Sequence, residues 1–298
     1  MSRHRYAILG LGLMGSRIAT RLAALGHDVA GWNRSRSSDL AGRCPGVRIA
    51  ESPGQAAEGA EAVLLLLHDS AAVREVVERS DLISGLADGA VVLDMGTNDP
   101  HTARDVARML GGRATFADAP VSGGTVAAKE GHLSIFLGAP PDLVPGMRHF
   151  LAPLGRVTDF GATGQGQAAK LANQIAVACN IAGLAETLAF AEHLGLAPER
   201  LLAAMEGGLA DSRVMEFAGP RMVAGDFAPR GRAATHLKDL DAVLAQVPDR
   251  PHALAAARAA RELLLGLGQQ GAALDHSAML LAARAALTDD AGQISGTP

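Results

Sequence analysis

Short apolar runs separated by amphipathic stretches organise the first half of the chain. Runs at 6–9, 28–32, 62–67, 91–94, 115–118, 133–137 and 157–160 have the length and apolar content of buried strands. Between several of them, as at 16–25 and 71–80, apolar residues recur at helical spacing. Strand and helix in alternation predict a largely parallel sheet with helices on both faces. The pattern changes at Gly161-Ala162-Thr163-Gly164. From Gln165 to about Leu194 the chain has no Pro and almost no charge, which predicts one continuous helix. Further helical patterns follow near 198–205, 214–223, 235–247, 251–267 and 275–286, and no further strand pattern appears. The chain therefore reads as an α/β domain over residues 1–162 followed by an all-helical domain over 163–298 with a long central helix.

A helix apolar nearly all round has to be buried nearly all round. In a helical domain this small, a second copy of the chain is expected to cover part of it. The predicted assembly is a homodimer or homotetramer, with the helical domain serving both substrate binding and oligomerisation. The stretch after Thr288 is expected to fray.

Composition narrows the function. A chain of 298 residues with 48% apolar content can bury two cores. A net charge of −4 without any basic block argues against nucleic-acid binding. The two cysteines, Cys44 and Cys179, have neither metal-ligand spacing nor the density of a disulfide-stapled secreted domain, and the histidines are scattered, so no metal site is expected. After Arg3-His4-Arg5 the apolar run breaks into glycines within four residues, and the run at 62–67 is far below the roughly 18 residues of a membrane span. The expectation is a soluble, cytoplasmic protein with no membrane partner.

With 35 glycines in the chain, a Gly-x-Gly-x-x-Gly spacing is weak evidence by itself. Two candidates compete: Gly10-Leu11-Gly12-Leu13-Met14-Gly15, and Gly164-Gln165-Gly166-Gln167-Ala168-Ala169. The first lies between a strand and a helix of ordinary length, and a second strand returns about 20 residues later, as a βαβ dinucleotide-binding unit requires. There the helix N-terminus and a bare glycine backbone can cradle a pyrophosphate. The second candidate opens a very long helix with no returning strand, and reads as a hinge. The predicted fold is thus a Rossmann-type, doubly wound sheet with its cofactor on Gly10–Gly15. The second strand ends in Asn33-Arg34-Ser35, where an NAD site usually carries an acid for the ribose hydroxyls. In its place Arg34 can pair with a 2′-phosphate and Ser35 can donate to it, so NADP(H) is favoured over NAD(H).

Three further motifs complete a pattern that resembles the β-hydroxyacid dehydrogenase family from Tyr6 to about Leu287. They are Asp118-Ala119-Pro120-Val121-Ser122-Gly123-Gly124, Gly164-x-Gly166-x-x-x-Lys170, and His236-Leu237-Lys238-Asp239-Leu240. Within the family, the stretches Lys170-Leu171-Ala172-Asn173-Gln174, Gly207-Gly208-Leu209-Ala210-Asp211-Ser212 and Asp275-His276-Ser277-Ala278 look most like those of the tartronate semialdehyde reductases. The resemblance implies an NADP-dependent enzyme that interconverts a small carboxylate-bearing semialdehyde and a hydroxyacid. Lys170 would be the general acid, Asn173 would orient the substrate or the lysine, and Ser122, Gly123 and Gly124 would bind the substrate carboxylate. Gln174, Lys238 and Asp239 would complete the substrate side, the last two closing the site from the helical domain, with Lys238 also near the cofactor. Leu67, His68 and Thr97 would face the cofactor. The residues agree: Lys170, Asn173 and Gln174 fall at i, i+3 and i+4, one polar stripe on a helix otherwise too apolar for water.

The chain departs from the family at four positions. Gly96 stands where Ser is frequent, His68 where Pro is common, Gln174 where many members carry Asn, and Gly231 where Phe is usual. These departures bear on the substrate more than on the reaction. Alternatives within the same class are reduction of succinic or methylmalonate semialdehyde or glyoxylate, or 3-hydroxyisobutyrate dehydrogenation. Imine reductases share the architecture but resemble one another in lacking both the Pro-Val-Ser-Gly-Gly turn and the helix lysine. A non-catalytic NADP-binding scaffold would have no need of Lys170 in a buried stripe.

Overall fold

The computed structural model describes residues 3–35 and 39–288, and the segment expected to fray lies outside the described residues. The chain divides between Lys170 and Leu171 into two compact units.

Among the described residues, the first unit contains nine strands: β1 (Arg5–Leu9), β2 (Asp28–Trp32), β3 (Arg48–Ile49), β4 (Ala62–Leu65), β5 (Val91–Asp94), β6 (Thr115–Asp118), β7 (Val121–Ser122), β8 (Leu133–Leu137) and β9 (Gly155–Asp159). Six form a parallel sheet in the order β3-β2-β1-β4-β5-β6. The strand order reverses between β1 and β4, and in doubly wound sheets the crevice at such a reversal takes the ligand. Period-two alternation feeds two separate cores. Ile8, Leu64 and Leu93 face one, and Leu9, Leu65 and Val92 face the other. With both faces covered, the strands read as continuous apolar runs rather than alternating ones.

The runs at 133–137 and 157–160 leave this sheet. They form β8 and β9, which with β7 make a second sheet of three strands, antiparallel between β7 and β8 and parallel between β8 and β9. Pro120 explains the change: it has no N–H to extend the β6 ladder. Its carbonyl accepts instead from Phe136 N. A bridge between Asp118 and Gly138 links the two sheets.

One helix spans Gln165–His193. Its apolar stripe, including Ala178, Ile181, Ala185 and Leu188, lies in the core of the second unit. Burial is one-sided within the chain: Ala172, Ala176, Asn180, Gly183 and Phe190 are exposed. Helices follow at Pro198–Met205, Arg213–Ala224, Ala233–Leu244, Ala255–Gly266 and Met279–Leu287. The helix expected from 251 starts at Ala255, after Leu254 adopts a left-handed φ of 57°. Asp275 caps rather than joins the last helix. Its Oδ1 accepts from Ser277 N, and a 3-10 turn intervenes at His276–Ala278.

The start of the long helix is set by a buried carboxylate at the end of β6. Asp118 accepts from Gly164 N at 2.6 Å through Oδ1 and from Gln167 N at 2.7 Å through Oδ2. Burial pushes this carboxyl up to about 6, against the pull of the helix amides. In Asp118→Asn the side-chain NH2 confronts one amide donor that then lacks an acceptor. The expected loss is about 1–3 kcal/mol of unfolding free energy, read by urea denaturation. Unchanged stability would mean the helix start is not held there.

Candidate active site

The first glycine turn connects β1 to the helix Leu13–Ala24 and gives its three glycines different tasks. Gly10 has φ +109°, and a Cβ there would lie 2.3 Å from the Leu66 carbonyl oxygen. A Cβ on Gly15 would lie 1.8 Å from the Gly10 carbonyl oxygen. These two are demanded by packing. Gly12 is different, because an added Cβ would meet nothing within 4 Å. Gly12 is the N-cap of the helix, with no side-chain cap and no acid in the first turn. The turn thus offers a positive helix end with open space above its backbone, which suits a dinucleotide pyrophosphate. Leu11 is buried, Leu13 exposed and Met14 half-buried.

Asn33 supports this turn from the end of β2. Its Oδ1 accepts from Leu11 N at 3.0 Å, and its Nδ2 donates to the Ser35 carbonyl at 2.8 Å. Its side chain is thus engaged in holding the two loops together. Arg34 and Ser35 are exposed, with Arg34 in a loose 3.9 Å ion pair with Glu75. No acid stands at the strand end. Leu67 and Thr97 are half-buried and His68 is exposed. A Cβ on Gly96 would lie 2.9 Å from the Leu67 carbonyl oxygen, so the loops after β4 and β5 touch where a serine would crowd them.

Lys170 lies in the second turn of the long helix and is only 5% exposed. Ser122 is half-buried at the end of β7, and Gly123 and Gly124 follow with φ of +128° and +70°. No atom lies within 4 Å of a Cβ added at Gly124, so the turn is open to a ligand on that side.

In the second unit, the polar residues marked from sequence bind one another. Gln174 Nε2 donates to Asp239 Oδ2 at 2.5 Å, and Asn173 Nδ2 donates to Gln174 Oε1 at 3.2 Å. Lys238 Nζ sits 2.8 Å from Asp239 Oδ1. Gln174 and Asp239 are buried. The space above Gly231 is taken by the His276 imidazole, whose Cε1 would lie 3.0 Å from an added Cβ. His276 Nδ1 meets His236 Nδ1 at 3.2 Å, and burial holds His276 below the usual histidine range. Among the described residues, no group of three or more His, Cys, Asp or Glu is arranged to hold a metal.

Sequence reasoning passed over one buried group in the first unit: Asp94, Asn98 and Gln167, with exposures of 0%, 2% and 0%. The available signal was Gln167 itself, a polar residue one turn before Lys170 on the same helical face.

The glycine geometry separates packing from binding. Gly15→Ala is expected to destabilise the fold by about 1–3 kcal/mol or more, through overlap with the Gly10 carbonyl. Gly12→Ala is expected to keep wild-type unfolding while weakening dinucleotide binding at least about 10-fold, because its methyl group enters the space for the phosphate. Urea denaturation and nucleotide fluorescence titration read the two effects, and the reverse ranking would reject the assignment.

Two family models cover nearly the whole chain. Residues 5–164 match the NAD-binding domain of 6-phosphogluconate dehydrogenase, and residues 164–283 match the NAD-binding domain of NADP-dependent 3-hydroxyisobutyrate dehydrogenase. A probable 3-hydroxyisobutyrate dehydrogenase-like protein of Arabidopsis thaliana is 37% identical, over 80% of this chain and 76% of its own. The 2-hydroxy-3-oxopropionate reductase of Escherichia coli is 33% identical over 93% of this chain and 96% of its own. The solved complex of Psf3 with NADP+ and 2-OPP superimposes with a TM-score of 0.84 at 25% identity, over 93% of this chain and 99% of that one. With the parallel sheet, the open glycine turn and the helical second unit, these matches place the chain in the β-hydroxyacid dehydrogenase family of NAD(P)-binding oxidoreductases.

Proposed function

We propose that this enzyme uses NADPH to reduce a small carboxylate-bearing semialdehyde to the hydroxyacid, with tartronate semialdehyde to glycerate as the leading case. The observation that carries the reading is Lys170: an almost fully buried lysine in the second turn of the long helix, followed by Asn173 and Gln174 on the same helical face. Withdrawing a lysine this far from water carries a desolvation cost that a partner offsets only in part, which favours a chemical role over a surface one. The 2-hydroxy-3-oxopropionate reductase of Escherichia coli favours the tartronate substrate by similarity.

Bound nicotinamide supplies the hydride. At the carbonyl being reduced, the Lys170 ammonium would give its proton to the oxygen, leaving a neutral amine that solvent reprotonates. Backbone N–H groups of the open Ser122-Gly123-Gly124 turn hold the substrate carboxylate. Asn173, its amide steadied by Gln174, orients the reacting groups. NADP(H) preference comes from Arg34 and Ser35, exposed at the end of β2 where no acid competes for the ribose.

Lys170→Ala is expected to retain NADPH binding and to lose at least about 100-fold in turnover, the scale of a lost general acid. Unchanged turnover would remove Lys170 from the reaction. Arg34→Ala is expected to weaken NADPH about 10- to 100-fold and leave NADH unaffected, as for a lost charged hydrogen bond. A steady-state panel of tartronate, succinic and methylmalonate semialdehydes and glyoxylate ranks the substrates. No turnover of any of them would reject the reading.

A further inference from the structure

Gln167 is fully buried and is gripped twice. Its main-chain N–H donates to the Asp118 carboxylate at the end of β6. Its side chain belongs to the neighbouring strand: Nε2 donates to Asp94 Oδ2 at 3.2 Å and to the Gly96 carbonyl at 2.9 Å, and Oε1 accepts from Asn98 N at 2.9 Å. Both amide hydrogens are used. Asp94 and Asp118 are register partners on β5 and β6, so two adjacent carboxylates seat one residue from two sides. The side-chain bonds also have a particular placement. Gly96 and Asn98 flank Thr97, so the carboxamide closes a bracket around that residue. Asn98 is itself tied back, with Nδ2 at 2.9 and 3.1 Å from the two Asp94 carboxylate oxygens.

Lys170 follows Gln167 by three residues, on the same face of the helix. We infer that Gln167 is a positioning residue whose carboxamide locks the Thr97 loop to the first turn of the long helix and thereby sets where the Lys170 ammonium stands relative to that loop. The inference rests on the proposed role of Lys170 as proton donor. Its physical basis is that proton and hydride must reach one carbonyl group together, and a misplacement of about 1 Å can cost roughly 100-fold in rate. The two grips are separable. Asp118 holds the helix through its backbone whatever side chain stands at 167, whereas only the carboxamide holds the loop.

Gln167→Met keeps side-chain length and helix propensity and removes all three side-chain bonds. Two readouts decide the matter. In hydrogen exchange of the free protein, the Asn98 amide is expected to lose protection in Gln167→Met, while the Gly164 and Gln167 amides bound to Asp118 keep theirs. In steady-state kinetics with the best semialdehyde and NADPH, kcat is expected to fall at least about 10-fold with the KM for NADPH within about 3-fold, the pattern of lost transition-state geometry rather than lost binding. Wild-type kcat in a variant whose Asn98 amide has lost protection would overturn the proposal, and so would unchanged protection. If Gln167→Met fails to fold, Gln167→Asn serves in its place. It retains the amide on a shorter arm, and the same two outcomes decide. If the wild-type enzyme turns over none of the aldehydes, it is the functional reading that has failed, and the exchange result alone decides whether the lock exists.

Discussion

Two carboxylates buried at the ends of neighbouring parallel strands determine where the long helix begins. Unpaired, such groups cost several kcal/mol each when withdrawn from water. Here each has donors. Asp118 takes the amides of Gly164 and Gln167, and Asp94 takes Gly96 N, the Asn98 side chain and the Gln167 side chain. The sheet supplies the position, since Asp94 and Asp118 are paired in register. A helix N-terminus carries partial positive charge and unpaired N–H groups, so it settles on the anion provided. Once its first turn is fixed, so is Lys170, and the helix continues into the core of the second unit.

The same physics serves opposite purposes at the two glycine turns. At Gly164 the helix amides are satisfied by the protein's own carboxylate, so the turn is structural. At Gly12 the helix starts with no side-chain cap, and the space above the glycine is open. One helix end is closed by an internal anion, and the other is left for an external one. Equal spacing in sequence therefore says little; what matters is whether an acid lies where the amides point.

Much of this was legible in the sequence, for identifiable reasons. All seven apolar runs matched strands to within two residues, the five of the parallel sheet because strands covered on both faces must be apolar throughout. β3 and β7 were not visible, since two residues carry no periodicity. The second sheet was missed because an apolar run shows that a strand forms but not which sheet it joins, and only Pro120 marks the break. The long helix was plain from its length, although its one-sided burial was not. At the candidate site, Asn33 and Gln174 were marked as ligand contacts from the motifs they sit in, and the structure shows their side chains holding neighbouring protein groups. Polar residue type reveals that a side chain needs a partner, but not whether that partner is protein or ligand. Gln167 fell between motif positions and was overlooked for the converse reason: a buried amide satisfied entirely by loop backbone and an aspartate has no fixed spacing to its partners.

The four departures from the family pattern fall into place differently. Gly96 leaves room for the Leu67 carbonyl, and Gly231 leaves room for the His276 ring, so each missing side chain corresponds to a close approach by another group. His68 is exposed, and Gln174 reaches Asp239. The central claim is that this chain moves a hydride from a nicotinamide to an aldehyde carbon. The most direct test is reduction of tartronate semialdehyde with NADPH deuterated at the transferring C4 position, followed by mass spectrometry of the product. The account predicts glycerate carrying one deuterium on the former aldehyde carbon. Glycerate formed without deuterium from either C4 face, or no glycerate at all, would contradict it.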